Sequence, residues 1–142
     1  MEQHGHDISL SATECQELLL TRTVGRVGWA AAAGPTIQPV AYLLHDGVIM
    51  FRTAPTTLLG GLAAGAEVCF QIDDLDESTS TGWSVLVRGT SRRLDVGGDD
   101  ELPTPWAPGK RHLVIVIEPH EYTGRAVSGD WPALGSERAE SV

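Results

Sequence analysis

Long apolar runs are missing from this chain of 142 residues. No stretch approaches the roughly 20 apolar residues that a membrane-spanning helix needs, so a soluble protein is expected. Positive charge is also scarce, with 10 Lys plus Arg against 19 Asp plus Glu and a formal net charge of −9. Nucleic acids and anionic lipid surfaces are both bound through clustered Lys and Arg. Neither nucleic acid nor membrane is therefore an expected partner. Cysteine is rare: Cys15 and Cys69 form no C-x-x-C pair and no disulfide framework. Met1 to Asp7 is polar and His-rich rather than basic-then-apolar, so it does not read as a signal peptide. The expected location is cytoplasmic. The phosphate-binding G-x-x-x-x-G-K-[ST], the dinucleotide-binding G-x-G-x-x-G and the hydrolase G-x-S-x-G are all absent. His4, His6, His45, His112 and His120 are scattered, and none sits at a zinc spacing with a cysteine.

What the chain does have is core material, with 42% hydrophobic residues in a length suited to one domain. A single domain over 1–142 is expected, with irregular tails at 1–8 and 128–142. Ser11-Ala12-Thr13-Glu14 reads as a capping box, and Cys15, Leu18 and Leu19 have helical spacing, predicting a short helix from Ala12 to Leu20. The punctuation then becomes that of a β protein. Strands are predicted over Val24–Ala30, Thr36–Leu44, Val48–Thr53, Ala66–Ile72, Gly82–Leu94, Lys110–Ile117 and Tyr122–Val127. Asp46-Gly47 marks a tight hairpin between the second and third of them. Leu58, Leu59 and Leu62 predict an inserted helix within Pro55–Ala64, weakened by Gly60 and Gly61. Asp73 to Thr81 reads as a solvated acidic loop. The sum is a mainly β (α+β) protein, a small antiparallel barrel with a short N-terminal helix and one inserted helix.

Few residues point to chemistry. Cys15 and Cys69 read as small core residues and Trp29 as packing. The acidic runs at 73–77 and 99–101 read as solvated loops without a metal. The informative stretch is Phe51-Arg52-Thr53-Ala54-Pro55-Thr56-Thr57-Leu58. Here a strand delivers an arginine and three threonines to the start of the inserted helix. Unpaired N–H groups and a partial positive charge at a helix start favour a phosphate. Arg52 adds a bidentate donor, while Thr53, Thr56 and Thr57 add hydroxyls. From Gly47 through Ala66 there is no Asp or Glu, so the local charge agrees.

Several strings, taken in order, resemble the pyridoxamine 5'-phosphate oxidase-like flavin-binding proteins. They are Val24-Gly25-Arg26-Val27-Gly28, Pro39-Val40-Ala41-Tyr42, Phe51-Arg52-Thr53-Ala54-Pro55, Thr81-Gly82-Trp83-Ser84-Val85-Leu86-Val87-Arg88-Gly89, Trp106-Ala107-Pro108-Gly109 and Tyr122-Thr123-Gly124-Arg125. The resemblance runs from about Ser9 to Val127 and is to the broad superfamily, since the substrate motifs of the vitamin B6 enzyme are absent. It implies a split β-barrel that dimerises, binds FMN between subunits and acts on a small-molecule substrate. It puts Arg52 and Thr53 at the flavin phosphate, Thr57 at the helix start beside it, and Phe51 next to them. Pro39, Val40 and Ala41 would run along the isoalloxazine ring. Trp83 and Ser84 would reach the flavin from a neighbouring strand, and Trp106 would close the pocket.

One position departs from the family pattern. Many relatives read Arg-Thr-Ala-x-Gly-[Thr/Ser]-Lys-Leu, with the lysine on phosphate, whereas Thr56 and Leu58 stand here for the glycine and the lysine. A lost charge-assisted contact costs about 1.5–3 kcal/mol, or roughly ten- to a hundredfold in affinity. Two readings follow: an FMN-dependent oxidoreductase, active as a homodimer, or one using the deazaflavin F420. A third, from another class, is a non-catalytic flavin- or haem-binding module with weakened or lost cofactor binding.

Overall fold

The computed structural model describes residues 6–94 and 113–128. Trp106, the acidic run at 99–101 and the tail segments 1–5 and 129–142 lie outside the described residues. The elements in order are β1 (His6–Leu10), α1 (Ala12–Leu19), β2 (Val24–Ala31), β3 (Gly34–Ala41), β4 (Leu43–His45), β5 (Val48–Thr53), a 3₁₀ helix (Leu59–Ala64), β6 (Glu67–Asp76), β7 (Thr81–Leu94) and β8 (Leu113–Ser128). All strand pairs are antiparallel, in the order β3-β2-β6-β7-β8-β5-β4. On the edge of β8 away from β7, β5 pairs with Leu113–Ile117 and β1 with Gly124–Ser128. Among the described residues, the long antiparallel sheet with a short helix at the N-terminus and one inserted helix forms the expected split β-barrel.

Local chemistry explains the elements that the sequence predicts well. Ser11 Oγ accepts from the Glu14 N–H at 3.1 Å and Glu14 Oε1 accepts from the Ser11 N–H at 2.8 Å, the reciprocal capping box. Asp46 (φ 51°) and Gly47 (φ 79°) both occupy left-handed backbone, which a two-residue hairpin turn demands.

Six predicted elements change. The N-terminal tail is a strand from His6, because β8 is long enough to leave a second partner position beside β5. Predicted strand Thr36–Leu44 is broken at Tyr42, whose N–H donates to Thr23 O at 3.0 Å and whose hydroxyl donates to Leu19 O at 2.5 Å. The acidic stretch is strand as far as Asp76, leaving only Glu77–Ser80 as turn. Lys110–Ile117 and Tyr122–Val127 merge into one strand from Leu113, which passes Pro119 by a bulge. Gly89 pairs with Pro119 and Arg88 with Glu121, so His120 is the extra residue. Finally, the inserted helix is 3₁₀, with three residues per turn. Leu59 and Leu62 share its buried face, while Leu58 points outward and is 56% exposed.

Alternation along the strands separates two faces. The inner face packs Val27, Val40, Phe51, Phe70, Ile72, Val85, Val87, Ile115 and Ile117 into one core with Cys15 and Leu19 of α1. Burial pushes the Cys15 thiol above its ordinary pKa, with the Glu14 charge adding to the effect, so it stays a neutral packing group. Met50, Val114 and Val116 form a smaller cluster on the outer face of β5 and β8.

Two polar anchors tie the helices to the sheet. Ser91, 1% exposed, donates to Leu62 O at 2.8 Å and accepts from the Ala66 N–H at 3.1 Å. Ser91→Ala orphans the Ala66 N–H and is expected to cost about 1–3 kcal/mol, read as a fall in Tm of several degrees. Tyr42 packs edge-on against Phe70 at 4.9 Å, and burial pushes its pKa up to about 12, with Arg22 opposing weakly. Because the folded pKa lies above the ordinary value near 10, this contribution is full below pH 10 and is lost as pH rises from 10 to 12. Tyr42→Phe should therefore flatten the fall in Tm across that window while costing about 1 kcal/mol at neutral pH.

Candidate functional site

β5 sets the position of Arg52. It pairs with Val114 of β8 and shares the outer face with Met50, which pairs with Val116. Arg52 is half-buried against this apolar patch, and its Nε lies out of contact with solvent. Thr53 turns the other way and is 4% exposed.

The turn after β5 is built by hydroxyls. Thr57 Oγ1 donates to Ala54 O at 2.7 Å and accepts from the Gly60 N–H at 3.2 Å. Its single proton is thereby used, so Thr53 is the donor in the 2.7 Å bond between the two threonines. The Thr57 hydroxyl is saturated, and binding phosphate through it requires exchanging one of these bonds. Gly60 makes the turn possible, because a Cβ there would stand 2.5 Å from Pro55 O.

The other residues implicated by the sequence divide between the faces. Pro39 and Ala41 point outward from edge strand β3, where a proline is tolerated. Val40 and Phe51 are core residues, at 6% and 0% exposure, so only their backbones could meet a ligand. Trp83 and Ser84 are neighbours on opposite faces. Trp83 packs against the core with the Arg22 guanidinium 5.7 Å from its ring centroid, and Arg22 is held by Asp74 at 3.2 Å. Ser84 is on the outer face, opposite Arg125 of β8. The outer face thus carries Pro39, Ala41, Arg52 and Ser84, while Val40, Phe51, Thr53 and Trp83 support it from within. From Val114, beside Arg52, to Arg125, beside Ser84, is eleven residues of β8, about 36 Å of strand.

Cys69 is not in the core. Alternation with Val68, Phe70 and Ile72 turns it outward, into a concavity of about 740 Å³ that also meets Gly28, Ile37, Arg88 and His120. A Cβ at Gly28 would come within 3.0 Å of Cys69 Sγ, so glycine there keeps the sulfur uncovered. His120, delivered by the bulge, has its Nε2 2.6 Å from Thr90 Oγ1. Sequence reading missed this concavity, although period-two alternation in β6 signals it. The acidic run 73–76 is dispersed: Asp74 pairs with Arg22, Asp73 accepts from Gln71 and Asp76 accepts twice from Ser78. Those Ser78 bonds hold the Asp76 carboxyl below its ordinary pKa. Among the described residues no three His, Cys, Asp or Glu side chains converge as a metal site. Nor is any helix among them long and apolar enough to cross a membrane.

Known proteins share this fold. The uncharacterized protein Rv0080 of Mycobacterium tuberculosis is 33% identical over 132 residues, covering 87% of each chain. An FAD-binding protein from Mycobacterium smegmatis superposes with a TM-score of 0.69 at 30% identity, over 85% of this chain and 98% of the other. An FAD-binding protein from Mesorhizobium loti shares the fold with a TM-score of 0.68 at 23% identity, over 87% and 98% of the two chains. The profile of the pyridoxamine 5'-phosphate oxidase family matches residues 11–126, from the α1 cap to the end of β8, and the chain belongs to that family.

Proposed function

We propose that this protein is a flavin-dependent oxidoreductase of a small-molecule substrate, with FMN held between the outer faces of two chains. The observation that carries the reading is Arg52, presented outward from an apolar patch beside a turn braced by Thr53 and Thr57. Pro39, Ala41 and Ser84 open onto the same face of the sheet. The FAD-binding relative from M. smegmatis supports a flavin as the ligand class. The eleven residues of β8 between Val114, beside Arg52, and Arg125, beside Ser84, support the homodimer, in which Arg52 and Ser84 would serve one cofactor from different chains. Light scattering is expected to give twice the chain mass, and a monomer at micromolar concentration would contradict the shared site.

A bound flavin supplies the two-electron chemistry. The residues of this chain would bind and orient it: Arg52 would neutralise phosphate charge, the β3 backbone around Val40 would hold the ring, and the apolar patch of Met50, Val114 and Val116 would keep water from the Arg52 contact. Activity is tested by loading the chain with FMN, adding NADPH without oxygen, and following the visible flavin band. Bleaching faster than with free FMN is expected, and an unchanged rate would contradict an oxidoreductase.

Leu58 favours a second reading, in which F420 or a non-catalytic flavin or haem ligand replaces FMN, because no cation stands at that position. Its exposure makes the comparison clean. Leu58→Lys should leave Tm within about 1 kcal/mol equivalent, since the side chain is not core. It should tighten FMN by a fewfold to about fiftyfold through the added charge-assisted contact. No gain in affinity at unchanged stability would mean that phosphate does not approach the 3₁₀ turn.

A further inference from the structure

The outer face holds a second pocket, of about 430 Å³, where β1, β6, β7 and β8 lie side by side. Arg125 stands at its centre, flanked in register by Ser9 of β1 and Ser84 of β7. The next row of the sheet adds Thr123, Leu86 and Gln71. In a chain of net charge −9, this pocket is lined among the described residues by one guanidinium, one amide and three hydroxyls, and by no carboxylate.

The hydrogen-bonding capacity is that of an anion site. Ser9 and Ser84 hydroxyls make no other bond among the described residues. Thr123 Oγ1 donates to Leu86 O at a long 3.4 Å. Gln71 Nε2 gives one of its two protons to Asp73 Oδ2 at 3.2 Å, which leaves the other available and engages the carboxylate that pairs in register with Ser84. In that same row, one strand further on, Arg26 pairs in register with both Gln71 and Pro39, so positive charge continues from the pocket toward β3.

We propose that this pocket is an oxyanion subsite that takes the carboxylate or phosphate of a small-molecule substrate. Arg125 supplies the charge-assisted fork and Ser9 and Ser84 the flanking donors. The existence of the subsite rests on the pocket alone, and its assignment to the substrate rests on the flavin reading above. It is distinct from the contact at Arg52 of β5, whose partner Val114 lies eleven residues from Arg125 along β8.

The test titrates phenyl phosphate, benzoate and phenol into the full chain, following the amide resonances of Ser84, Thr123 and Gly124. Both anions should shift these resonances saturably and phenol should not, the tighter anion naming the class. Arg125→Gln should weaken the anions about tenfold or more with little change in Tm, since Arg125 is exposed. Arg125→Lys should fall between, keeping charge without the fork. Unchanged anion affinity in Arg125→Gln, or equal binding of phenol, overturns the subsite. Arg125→Gln weakening FMN but not riboflavin also overturns it, because the pocket would then hold the cofactor phosphate. A wild-type chain that binds the anions but not FMN upholds the subsite and sinks the flavin reading instead.

Discussion

Arg52→Ala is expected to weaken FMN by roughly ten- to a hundredfold and to leave riboflavin, which lacks the phosphate, nearly unchanged. The selectivity follows from position. Arg52 rises from a patch formed by Met50, Val114 and Val116, where water competes poorly and a charge-assisted contact contributes about 1.5–3 kcal/mol. Its removal leaves Phe51 and Thr53 in place on the inner face, so the barrel should keep its stability. Isothermal titration of both ligands into both proteins gives the four affinities. Equal losses for FMN and riboflavin would show that Arg52 shapes the surface rather than binding phosphate.

The largest stability effect is expected at Gly25, in the string that the family resemblance begins with. A Cβ there would lie 2.2 Å from Phe70 Cζ and within 2.9 Å of both neighbouring ring carbons. Phe70 is fully buried and wedged against Tyr42, so its ring has nowhere to go. Gly25→Ala should cost about 2–4 kcal/mol by overpacking, seen as a fall in Tm of about 10 °C. The strain is specific: adding Phe70→Leu should recover part of the loss, giving a favourable coupling in the double-mutant cycle. Additive losses would mean that Gly25 is required by its backbone instead.

What was legible in the sequence was what local chemistry decides. The Ser11–Glu14 box and the Asp46-Gly47 turn follow from residues that touch within four positions. Long-range pairing was not legible. β1 exists because β8 is long enough to hold two partners on one edge, and β8 is that long because a bulge at His120 carries the ladder past Pro119. The inserted helix was placed correctly, but its 3₁₀ geometry turns on Leu59 and Leu62 at a spacing of three, which also fits an α-helix. At the candidate site, the sequence order brought Arg52, Thr53 and Thr57 together. It did not distinguish the residues that face out from those that support them, although period-two alternation contains that information. Trp83 and Ser84 are the clear case, being adjacent in sequence and opposite in the sheet. Cys69 turns outward by the same alternation, since Val68 and Phe70 take the inner face.

Quenching of flavin fluorescence on titrating FMN with the purified chain tests the central claim most directly. Saturation at one FMN per chain, with a dissociation constant at or below about 10 μM, about −7 kcal/mol, is the expected result. Absence of saturable binding by FMN, and equally by FAD and F420, at about 100 μM protein would contradict a flavin site on the outer face.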